Sequence, residues 1–158
     1  MTPIIDYSLI RLIPADETYR EFSYQVKKAA EGEYIISMFG WDEDVQRGFH
    51  AKAWQQQKPD IINYDGKPIG TIATIESEDC IEIGQFFILA EYQNKGIGTY
   101  LLKSVLDKAD QLSKNVTLKF LKNNRVKSLY VRNGFRLVHT SEVAHHMERK
   151  PGGSNNSL

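Results

Sequence analysis

The stretch Gln93-Asn94-Lys95-Gly96-Ile97-Gly98 decides how the rest of the chain is interpreted. It follows an apolar run, residues 81–89, that is typical of a buried strand, and it leads into residues 99–112, whose apolar positions have helical spacing. Gly96 and Gly98 permit positive φ and a close approach of the backbone to a ligand. The first amides of a helix lack intrahelical acceptors, and the helix dipole adds positive potential there. The sequence therefore predicts a strand, a glycine turn and a helix that together bind a phosphate or pyrophosphate.

Three classes of ligand use such a turn, and the spacing distinguishes them. A nucleotide-binding P-loop needs Gly-Lys-Ser/Thr after four intervening residues, whereas Lys95 precedes its glycine. A dinucleotide fingerprint would place a third glycine or alanine where Leu101 stands. The segment instead resembles the pyrophosphate loop of the GNAT N-acetyltransferase superfamily, Gln/Arg-x-x-Gly-x-Gly/Ala between a central strand and a helix. The resemblance implies that the pyrophosphate of acetyl-CoA is bound by Gln93, Asn94, Lys95, Gly96, Ile97, Gly98 and Thr99.

Composition limits the class of protein. The chain has 158 residues, of which 41% are hydrophobic, and this suffices for the core of one globular domain, expected at residues 1–150. Residues 151–158, rich in Gly, Ser and Asn, are expected to form a disordered tail. Basic and acidic residues number 20 each, which does not favour nucleic acid or membrane as a partner. The single Cys80 excludes an intramolecular disulfide and a Cys-based metal cluster, so we expect a cytoplasmic, metal-free protein.

Apolar periodicity and turn signals predict the order of the elements. A first strand at residues 7–13 ends at Pro14, and Asp65-Gly66 between two apolar runs is a strong hairpin signal. The other strands are predicted at 61–64, 69–75, 80–89, 116–121, 135–140 and 144–149, with helices at 99–112 and 125–132. The resulting order resembles that of the GNAT superfamily. The resemblance implies an α/β fold, with a mixed, mostly antiparallel sheet of about seven strands that is splayed at the acetyl-CoA site and flanked by helices.

Two further helices are predicted after the first strand. Asp16 is a good N-cap for a helix that runs to Glu31, and Gly32 is its expected stop. Asp42 caps the second helix, which extends through Gln57 before Pro59. The side chains expected to point inward are Phe22, Val26 and Ala29 or Ala30 in the first helix and Val45, Phe49 and Trp54 in the second.

The strand before the glycine turn changes its pattern at Gly84, where the alternation of Ile81 and Ile83 gives way to a continuous apolar run. A β-bulge is expected at that point. By the resemblance, this strand offers unpaired backbone groups to pantetheine and to the acetyl carbonyl, and one amide acts as an oxyanion donor. The residues assigned to these contacts are Phe86, Phe87 and Ile88. Their side chains are equally consistent with a buried core strand.

A second segment, residues 123–135, resembles the signature Asn-x-x-Ala-x-x-x-Tyr-x-x-x-Gly-Phe of the same superfamily. It departs from that signature once, with Val126 at the usual alanine. By the resemblance, Asn123 hydrogen-bonds the pantetheine arm and Tyr130 is the general acid that protonates the CoA thiolate. A tyrosine suits that role because its hydroxyl is protonated at neutral pH. A tyrosine in a short helix is also a common core residue.

Glu82 is the proposed general base. It alternates with Ile81 and Ile83, so its side chain is expected to leave the apolar face of the strand, and its distance before Gln93 matches the catalytic glutamate of the histone-acetylating branch of the superfamily. Such a base is useful because an alkyl ammonium has a pKa near 10.4. The alternative is a solvated glutamate, since many members of the superfamily have no fixed base.

The aromatic and acidic stretch that contains Phe39, Trp41 and Glu43 is the predicted acceptor site. Aromatic rings and a carboxylate can hold a cationic amine by cation-π contact and charge. Alternatively, Trp41 packs before the Asp42 cap and Glu43 only favours the helix dipole. His145 and His146 are adjacent in a strand and point to opposite faces, so they predict no shared metal.

These assignments together predict an N-acetyltransferase that moves the acetyl group of acetyl-CoA directly to a primary amine of a small molecule or peptide. Nothing around Cys80 indicates a covalent intermediate. Two alternatives stay open: a CoA-binding sensor or scaffold without catalysis, and an acyltransferase for another acyl-CoA. Homodimers are common in the superfamily, and the resemblance extends that expectation to this chain.

Overall fold

The computed structural model describes residues 4–152, so most of the predicted tail, residues 153–158, lies outside the described residues. The chain divides into two compact units. The first comprises residues up to Ala73 together with Gln85–Gly98, and the second comprises Thr74–Gly84 together with the chain from Thr99 onward. A single domain over residues 1–150 stays a prediction.

The element order agrees with the one predicted from the sequence. The strands are β1 (Ile10–Pro14), β2 (Asp60–Tyr64), β3 (Lys67–Glu76), β4 (Cys80–Ile88), β5 (Asn115–Leu121), β6 (Arg136–Thr140) and β7 (Ala144–Arg149). The α-helices are α1 (Arg20–Phe39), α2 (Glu43–Gln56), α3 (Ile97–Gln111) and α4 (Lys127–Arg132). Turns of 3₁₀ helix lie at Tyr7–Leu9, Glu17–Tyr19 and Ala90–Tyr92.

The strands form one seven-stranded mixed sheet in the order β1-β2-β3-β4-β5-β7-β6, which confirms the predicted fold class. The pairs β1–β2, β2–β3, β5–β7 and β6–β7 are antiparallel. The hairpin at residues 65–66 is confirmed: Asp65 and Gly66 have φ of 49° and 84°, and Tyr64 pairs with Lys67. Two consecutive positive φ values are the hallmark of a type I′ turn, which matches the twist of the strands it joins.

The start of the first strand was predicted too early. Residues 7–9 form a 3₁₀ turn, and the strand begins at Ile10. The reason is local capping, because the Asp6 carboxylate accepts a hydrogen bond from the Ser8 amide at 3.0 Å. This interaction gives the backbone an alternative to extended pairing.

The predicted stop of the first helix at Gly32 is wrong. Helix α1 continues through Gly32 to Phe39 and ends at Gly40, which has a φ of 74° and donates its amide to the Ile36 carbonyl. Gly32 is buried, and a Cβ added there would lie 3.9 Å from the Trp41 ring. A glycine inside a helix costs only about 1 kcal/mol relative to alanine, so the packing of the aromatic segment that follows overrides it.

The buried face of α2 also differs from the prediction. Val45 and Phe49 are exposed, at 47% and 59%, whereas Gln46 and His50 are buried together with Trp54. Burial of the polar side chains is compensated by hydrogen bonding, since His50 Nε2 lies 3.0 Å from the buried hydroxyl of Ser23 on α1. The helix is therefore oriented by polar pairing as well as by apolar burial.

In the second unit, the helical spacing of residues 99–112 predicts an apolar stripe on α3 that consists of Leu101, Leu102, Val105, Leu106, Ala109 and Leu112. Four of these residues, Leu101, Leu102, Leu106 and Ala109, are each at most 4% exposed, and Val105 is half-buried. Leu112, the last residue of the predicted stripe, lies beyond the helix end and is 45% exposed. Two hydrogen bonds of 2.8 and 3.1 Å join Arg149 to Asp110, fixing the end of β7 against the same helix. Among residues 4–152, none of the helices has the length and apolarity that crossing a bilayer requires.

Candidate functional site

The predicted glycine turn lies between β4, which ends at Ile88, and α3, which begins at Ile97. Asn94 and Gly96 have positive φ, 60° and 84°. Asparagine is among the few non-glycine residues that tolerate this region. The side chain of Ile97 is 1% exposed and anchors the first turn of the helix. The strand–turn–helix predicted from the glycine spacing is thus confirmed, and the amides of Ile97 and Gly98 belong to the class without intrahelical acceptors.

The side chain of Gln93 closes this turn onto the strand. Its side-chain Nε2 donates to the Ile88 carbonyl at 2.7 Å, and the backbone amide of Gln93 donates to the Ala90 carbonyl at 3.1 Å. Gly98 has space around it, because an added Cβ would meet Ile88 Cδ1 at 3.8 Å, an ordinary van der Waals distance. The turn is therefore anchored to β4 by Gln93, and it has open space at Gly98.

A contact beneath the turn was not anticipated from the sequence. The Tyr7 hydroxyl donates to the Lys95 carbonyl at 2.8 Å, and a Cβ added to Gly96 would overlap that hydroxyl. These residues are 88 positions apart in the chain. No local pattern indicates such a pairing, because Tyr7 stands in what reads as a strand.

The irregularity expected at Gly84 falls on the next residue. Gln85 has a φ of 47°, which is uncommon for a residue with a side chain. Two hydrogen bonds hold it: the Thr71 hydroxyl donates to its carbonyl at 2.7 Å, and its side-chain amide donates to the Gln57 carbonyl at 3.0 Å. These tertiary hydrogen bonds, one to the carbonyl and one from the side chain of Gln85, therefore stabilise a backbone conformation that glycine would adopt without them.

The segment of β4 after Gln85 carries Phe86, Phe87 and Ile88, all half-buried. On the β3 side, a Cβ added to Gly70 would overlap the Phe87 carbonyl, so only glycine permits this approach of the two backbones. The parallel register of β4 with β5 joins Cys80–Glu82 to Asn115–Thr117. Contact of Phe86, Phe87 and Ile88 with a ligand stays a prediction.

In the second unit, the signature around Tyr130 forms a Schellman motif. The Phe135 amide donates to the Tyr130 carbonyl at 3.0 Å and the Gly134 amide donates to the Val131 carbonyl at 3.1 Å. Gly134 has a φ of 91°, and the rings of Tyr130 and Phe135 contact each other edge-on at 5.6 Å. Hydrogen bonds in this pattern, a left-handed glycine and an apolar contact across it define the motif. The spacing Tyr-x-x-x-Gly-Phe therefore has a structural cause that is independent of catalysis.

Tyr130 is 8% exposed, and its ring stacks on Phe120 at 5.6 Å. Burial raises the pKa of its hydroxyl to about 12. The hydroxyl is therefore protonated throughout the physiological range, as a proton donor must be. The raised pKa also makes it a weaker acid than an exposed tyrosine.

Asn123 and Glu82 also belong to the second unit. Asn123 follows β5, and its side-chain oxygen is buried. Glu82 is exposed on β4 between the buried Ile81 and Ile83, as its alternation predicted, and its register partner on β5 is Thr117. The roles assigned to Asn123 and Glu82 stay predictions.

The predicted acceptor residue Glu43 has four donors from its own chain. Its Oε1 accepts from the Tyr24 hydroxyl at 2.9 Å, from Trp41 Nε1 at 3.0 Å and from Lys28 Nζ at 3.3 Å, and its Oε2 accepts from Arg47 Nε at 3.1 Å. The indole hydrogen bond and the other donors lower the pKa of Glu43 to about 2. Lys28 Nζ also lies 5.3 Å from the centroid of the Trp41 ring. Cations of the chain itself thus occupy the aromatic and acidic positions that were predicted to receive an amine.

Phe39, the third predicted acceptor residue, is 59% exposed at the end of α1. Asp42 caps α2 by accepting from the Val45 amide at 3.1 Å, which confirms the capping role predicted for it. The binding of an acceptor by Phe39, Trp41 and Glu43 stays a prediction.

The two adjacent histidines face opposite sides of β7. His145 contacts the Phe120 ring at 5.6 Å, and His146 contacts His139 at 5.2 Å. Within the part of the chain that the structure describes, no three His, Cys, Asp or Glu side chains are grouped as a metal site.

Comparison with known proteins identifies a protein family that the chain resembles. A model of the family described as "Acetyltransferase (GNAT) family" matches residues 16–135, which include the glycine turn and the Tyr130 signature. No curated protein matches the chain by sequence.

Several solved structures are similar in fold. PaiA N-acetyltransferase from Thermoplasma acidophilum, in complex with coenzyme A, has a TM-score of 0.67 at 18% identity, over 89% of this chain and 98% of that one. A GNAT family acetyltransferase from Elizabethkingia anophelis with acetyl-CoA bound has a TM-score of 0.64 at 15% identity, over 90% and 98%. Arabidopsis thaliana Naa50, in complex with the bisubstrate analogue CoA-Ac-MVNAL, has a TM-score of 0.63 at 18% identity, over 90% and 99%. At these identities the likeness concerns the fold.

Proposed function

The chain belongs to the GNAT acetyltransferase family, and we propose that it transfers the acetyl group of acetyl-CoA directly to a primary amine of a small molecule or peptide. The observation that carries this proposal is the turn from Gln93 to Gly98, with positive φ at Asn94 and Gly96 directly before a 15-residue helix. Backbone amides at such a turn bind pyrophosphate by hydrogen bonding and by the helix dipole. Solved structures of the same fold contain CoA or acetyl-CoA, which supports this donor.

The proposed reaction forms a C–N bond and breaks a C–S bond at the acetyl carbonyl carbon. The lone pair of the neutral amine attacks the thioester carbonyl carbon, and the resulting oxyanion is stabilised by a backbone amide of the Phe86–Ile88 segment. Collapse of this intermediate breaks the C–S bond. The products are the acetylated amine and CoA, and the proton lost by nitrogen is balanced by the proton gained by sulfur.

In this proposal Glu82 receives the amine proton, directly or through water, and Tyr130 donates to the departing sulfur. Exposure of Glu82 on β4 supports the first role, because an exposed carboxylate can pass the proton that it receives on to solvent. The protonated state of Tyr130 supports the second. Cys80 lies 3.3 Å from the Thr117 hydroxyl, and the proposal gives it no covalent role.

The acceptor is proposed to bind beside Phe39, whose exposed ring can hold an ammonium by cation-π contact. Glu43 is a weaker candidate, because an acceptor ammonium there would have to displace Lys28 or Arg47. The bisubstrate complex of the similar fold named above supports including peptide amines among the acceptors. A cytoplasmic location and a homodimeric state complete the proposal.

Calorimetric titration with acetyl-CoA, CoA and ATP, followed by a thiol-release assay on polyamines, amino acids, aminoglycosides and Lys peptides, tests this function. We expect CoA-selective binding and release of thiol with one class of amine. Absence of CoA binding by the folded protein would remove the assignment of the glycine turn.

A CoA-binding module without catalysis is the second candidate, and the state of Tyr130 is the observation that favours it. A buried hydroxyl with a pKa of about 12 is a poor acid towards a thiolate whose conjugate acid has a pKa near 8.5. The Schellman motif would retain Tyr130 and Phe135 for packing alone. CoA binding without thiol release on any amine of the panel would favour this candidate.

A further inference from the structure

The turn that is proposed to bind pyrophosphate rests on Tyr7. We propose that Tyr7 is a positioning residue for donor binding: its hydroxyl fixes the Lys95–Gly96 peptide so that the Gly96 amide is directed at the pyrophosphate. This inference rests on the proposed function and adds a residue that the GNAT resemblance did not include. Its geometric basis is the 2.8 Å hydrogen bond from the Tyr7 hydroxyl to the Lys95 carbonyl.

Peptide planarity links this hydrogen bond to the ligand. In a trans peptide the C=O of one residue and the N–H of the next point in opposite directions. A donor that holds the Lys95 carbonyl therefore aims the Gly96 amide away from Tyr7. A carbonyl directed into the anion site would repel a phosphate, so fixing this one peptide both adds a donor and removes an acceptor.

Tyr7 is itself held firmly. It belongs to the 3₁₀ turn that Asp6 caps, and the Leu9 carbonyl at the end of that turn accepts from the Asp65 amide at 3.1 Å. The Asp6 amide donates to the Tyr64 hydroxyl at 3.1 Å. The 3₁₀ turn that contains Tyr7 is thus anchored to the β2–β3 hairpin. Because the Tyr7 hydroxyl is already fixed, it can orient the Lys95 carbonyl without a further loss of side-chain entropy when the ligand binds.

The same contact explains why position 96 is glycine. A Cβ on Gly96 would overlap Tyr7 Oη, whereas the next nearest atom, Tyr7 Cζ, would be 3.3 Å away. Removing the hydroxyl alone should therefore relieve most of the clash. Gly66 is a matched reference, because it has the same φ of 84° with no atom within 4 Å of an added Cβ.

The first experiment compares wild type with Tyr7→Phe by calorimetric titration with CoA and with pantetheine, which lacks the pyrophosphate. Loss of one hydrogen bond that orients a charged contact is expected to weaken CoA binding roughly 3–10-fold. Pantetheine binding should change less than twofold. A folded Tyr7→Phe variant that binds CoA as wild type does, or that loses both ligands equally, overturns the positioning role. Failure of the wild type to bind CoA would instead reject the proposed function.

The second experiment is a double-mutant cycle of Tyr7→Phe and Gly96→Ala, measured by the melting temperature and by CoA affinity. Gly96→Ala should lower the melting temperature more than Gly66→Ala, since both carry the strain of positive φ but only Gly96 carries the clash. In the Tyr7→Phe background, the added effect of Gly96→Ala should shrink towards that of Gly66→Ala. Strict additivity in the cycle would contradict the inferred contact.

Discussion

The glycine turn and the α1–α2 pair both belong to the first unit, but the turn is held mainly by its backbone and the helix pair by contacts between side chains. At the turn, the strand, the positive φ of Gly96 and the start of α3 follow from residues 81–112 alone. In the α1–α2 pair, the helix stop at Gly32 was predicted wrongly, and of the α2 side chains predicted to point inward only Trp54 is buried. The turn is specified by backbone requirements that glycine meets locally, whereas the helix pair is specified by side chains that meet in the fold.

The difference shows which kind of function can be predicted from one sequence. Binding by backbone amides needs only the conformation, and glycine signals that conformation in the local sequence. The distant hydroxyl of Tyr7 also holds the Lys95 carbonyl, but the glycine spacing was sufficient to predict the turn. Binding by side chains depends on what else surrounds them. Glu43 was predicted to receive a substrate cation, but its two oxygens already accept from Tyr24, Lys28, Trp41 and Arg47.

The largest expected effect is at the turn itself. Gly98→Glu should weaken CoA binding more than about 100-fold, because a carboxylate beside the pyrophosphate repels it and its bulk fills the open space at Gly98. Calorimetric titration measures the change. Gly98→Ala is the matched control, since its methyl group would make only ordinary contacts, and it should bind within a few-fold of wild type. Strong CoA binding by a folded Gly98→Glu protein would contradict the assignment of the turn, because CoA would then bind elsewhere on the protein.

Tyr130→Phe should have the next largest effect. It removes the hydroxyl and keeps the ring that stacks on Phe120 and contacts Phe135. If the hydroxyl donates to the departing sulfur, kcat should fall about 100-fold under conditions where chemistry is rate-limiting, with the Kd for CoA unchanged.

The control for that substitution is stability, which should stay close to that of wild type because the Schellman motif is retained. Unchanged turnover would assign Tyr130 to packing alone. The signature would then resemble the α1–α2 pair, in which a residue chosen for chemistry proves to be structural.

The limits of sequence-based prediction have a common physical cause. The Asp65-Gly66 turn, the helical spacing of residues 99–112 and the positive φ of Gly96 were predicted because each has a signal in neighbouring residues of the sequence. Tyr7, Gln85 and the partners of Glu43 were not predicted, since their conformations depend on hydrogen bonds from distant residues. Gln85 is the clearest case: the pattern indicated an irregularity at Gly84, but the positive φ lies at Gln85, where it is held by Thr71 and Gln57.

The pH dependence of stability tests whether buried polar groups orient α2. Burial, with nearby Lys27 and Arg20, lowers the pKa of His50 to about 4, so the folded state holds the neutral imidazole. The neutral His50 therefore makes its full contribution to the free energy of unfolding above pH 6.5. This contribution is lost as the pH falls from 6.5 towards 4, because in that range the imidazole binds a proton in the unfolded chain but not in the folded protein. Between pH 7 and pH 5 the loss should be about 1–2 kcal/mol.

Denaturant unfolding of wild type and His50→Gln at the two pH values measures this term. Glutamine can keep a hydrogen bond to Ser23 and does not titrate, so the variant should show a smaller loss of stability on acidification. An identical pH dependence in the two proteins would show that His50 is not kept neutral by its surroundings, and the polar orientation of α2 would lose its support.

The smallest expected effect separates the two acceptor residues. Phe39→Ala should raise the KM for the amine about 3–10-fold, because an exposed ring can contribute a cation-π contact of roughly 0.5–1 kcal/mol together with some apolar contact. Glu43→Gln should change that KM less than twofold and should lower stability at pH 7. The carboxylate is charged there, and it loses its stabilising contribution only as the pH falls from the ordinary range of glutamate towards about 2.

Both variants are assayed with the amine that the thiol-release panel identifies, and CoA affinity serves as the control that the donor side is intact. The reverse outcome, a large KM effect from Glu43→Gln and none from Phe39→Ala, would mean that a substrate cation displaces Lys28 or Arg47 from Glu43. In that case the helix pair would function as its sequence first indicated, with the internal cations holding the site in the absence of substrate. The helix pair would then differ from the glycine turn in one respect: side chains of the protein, Lys28 and Arg47, occupy its binding site until the ligand displaces them.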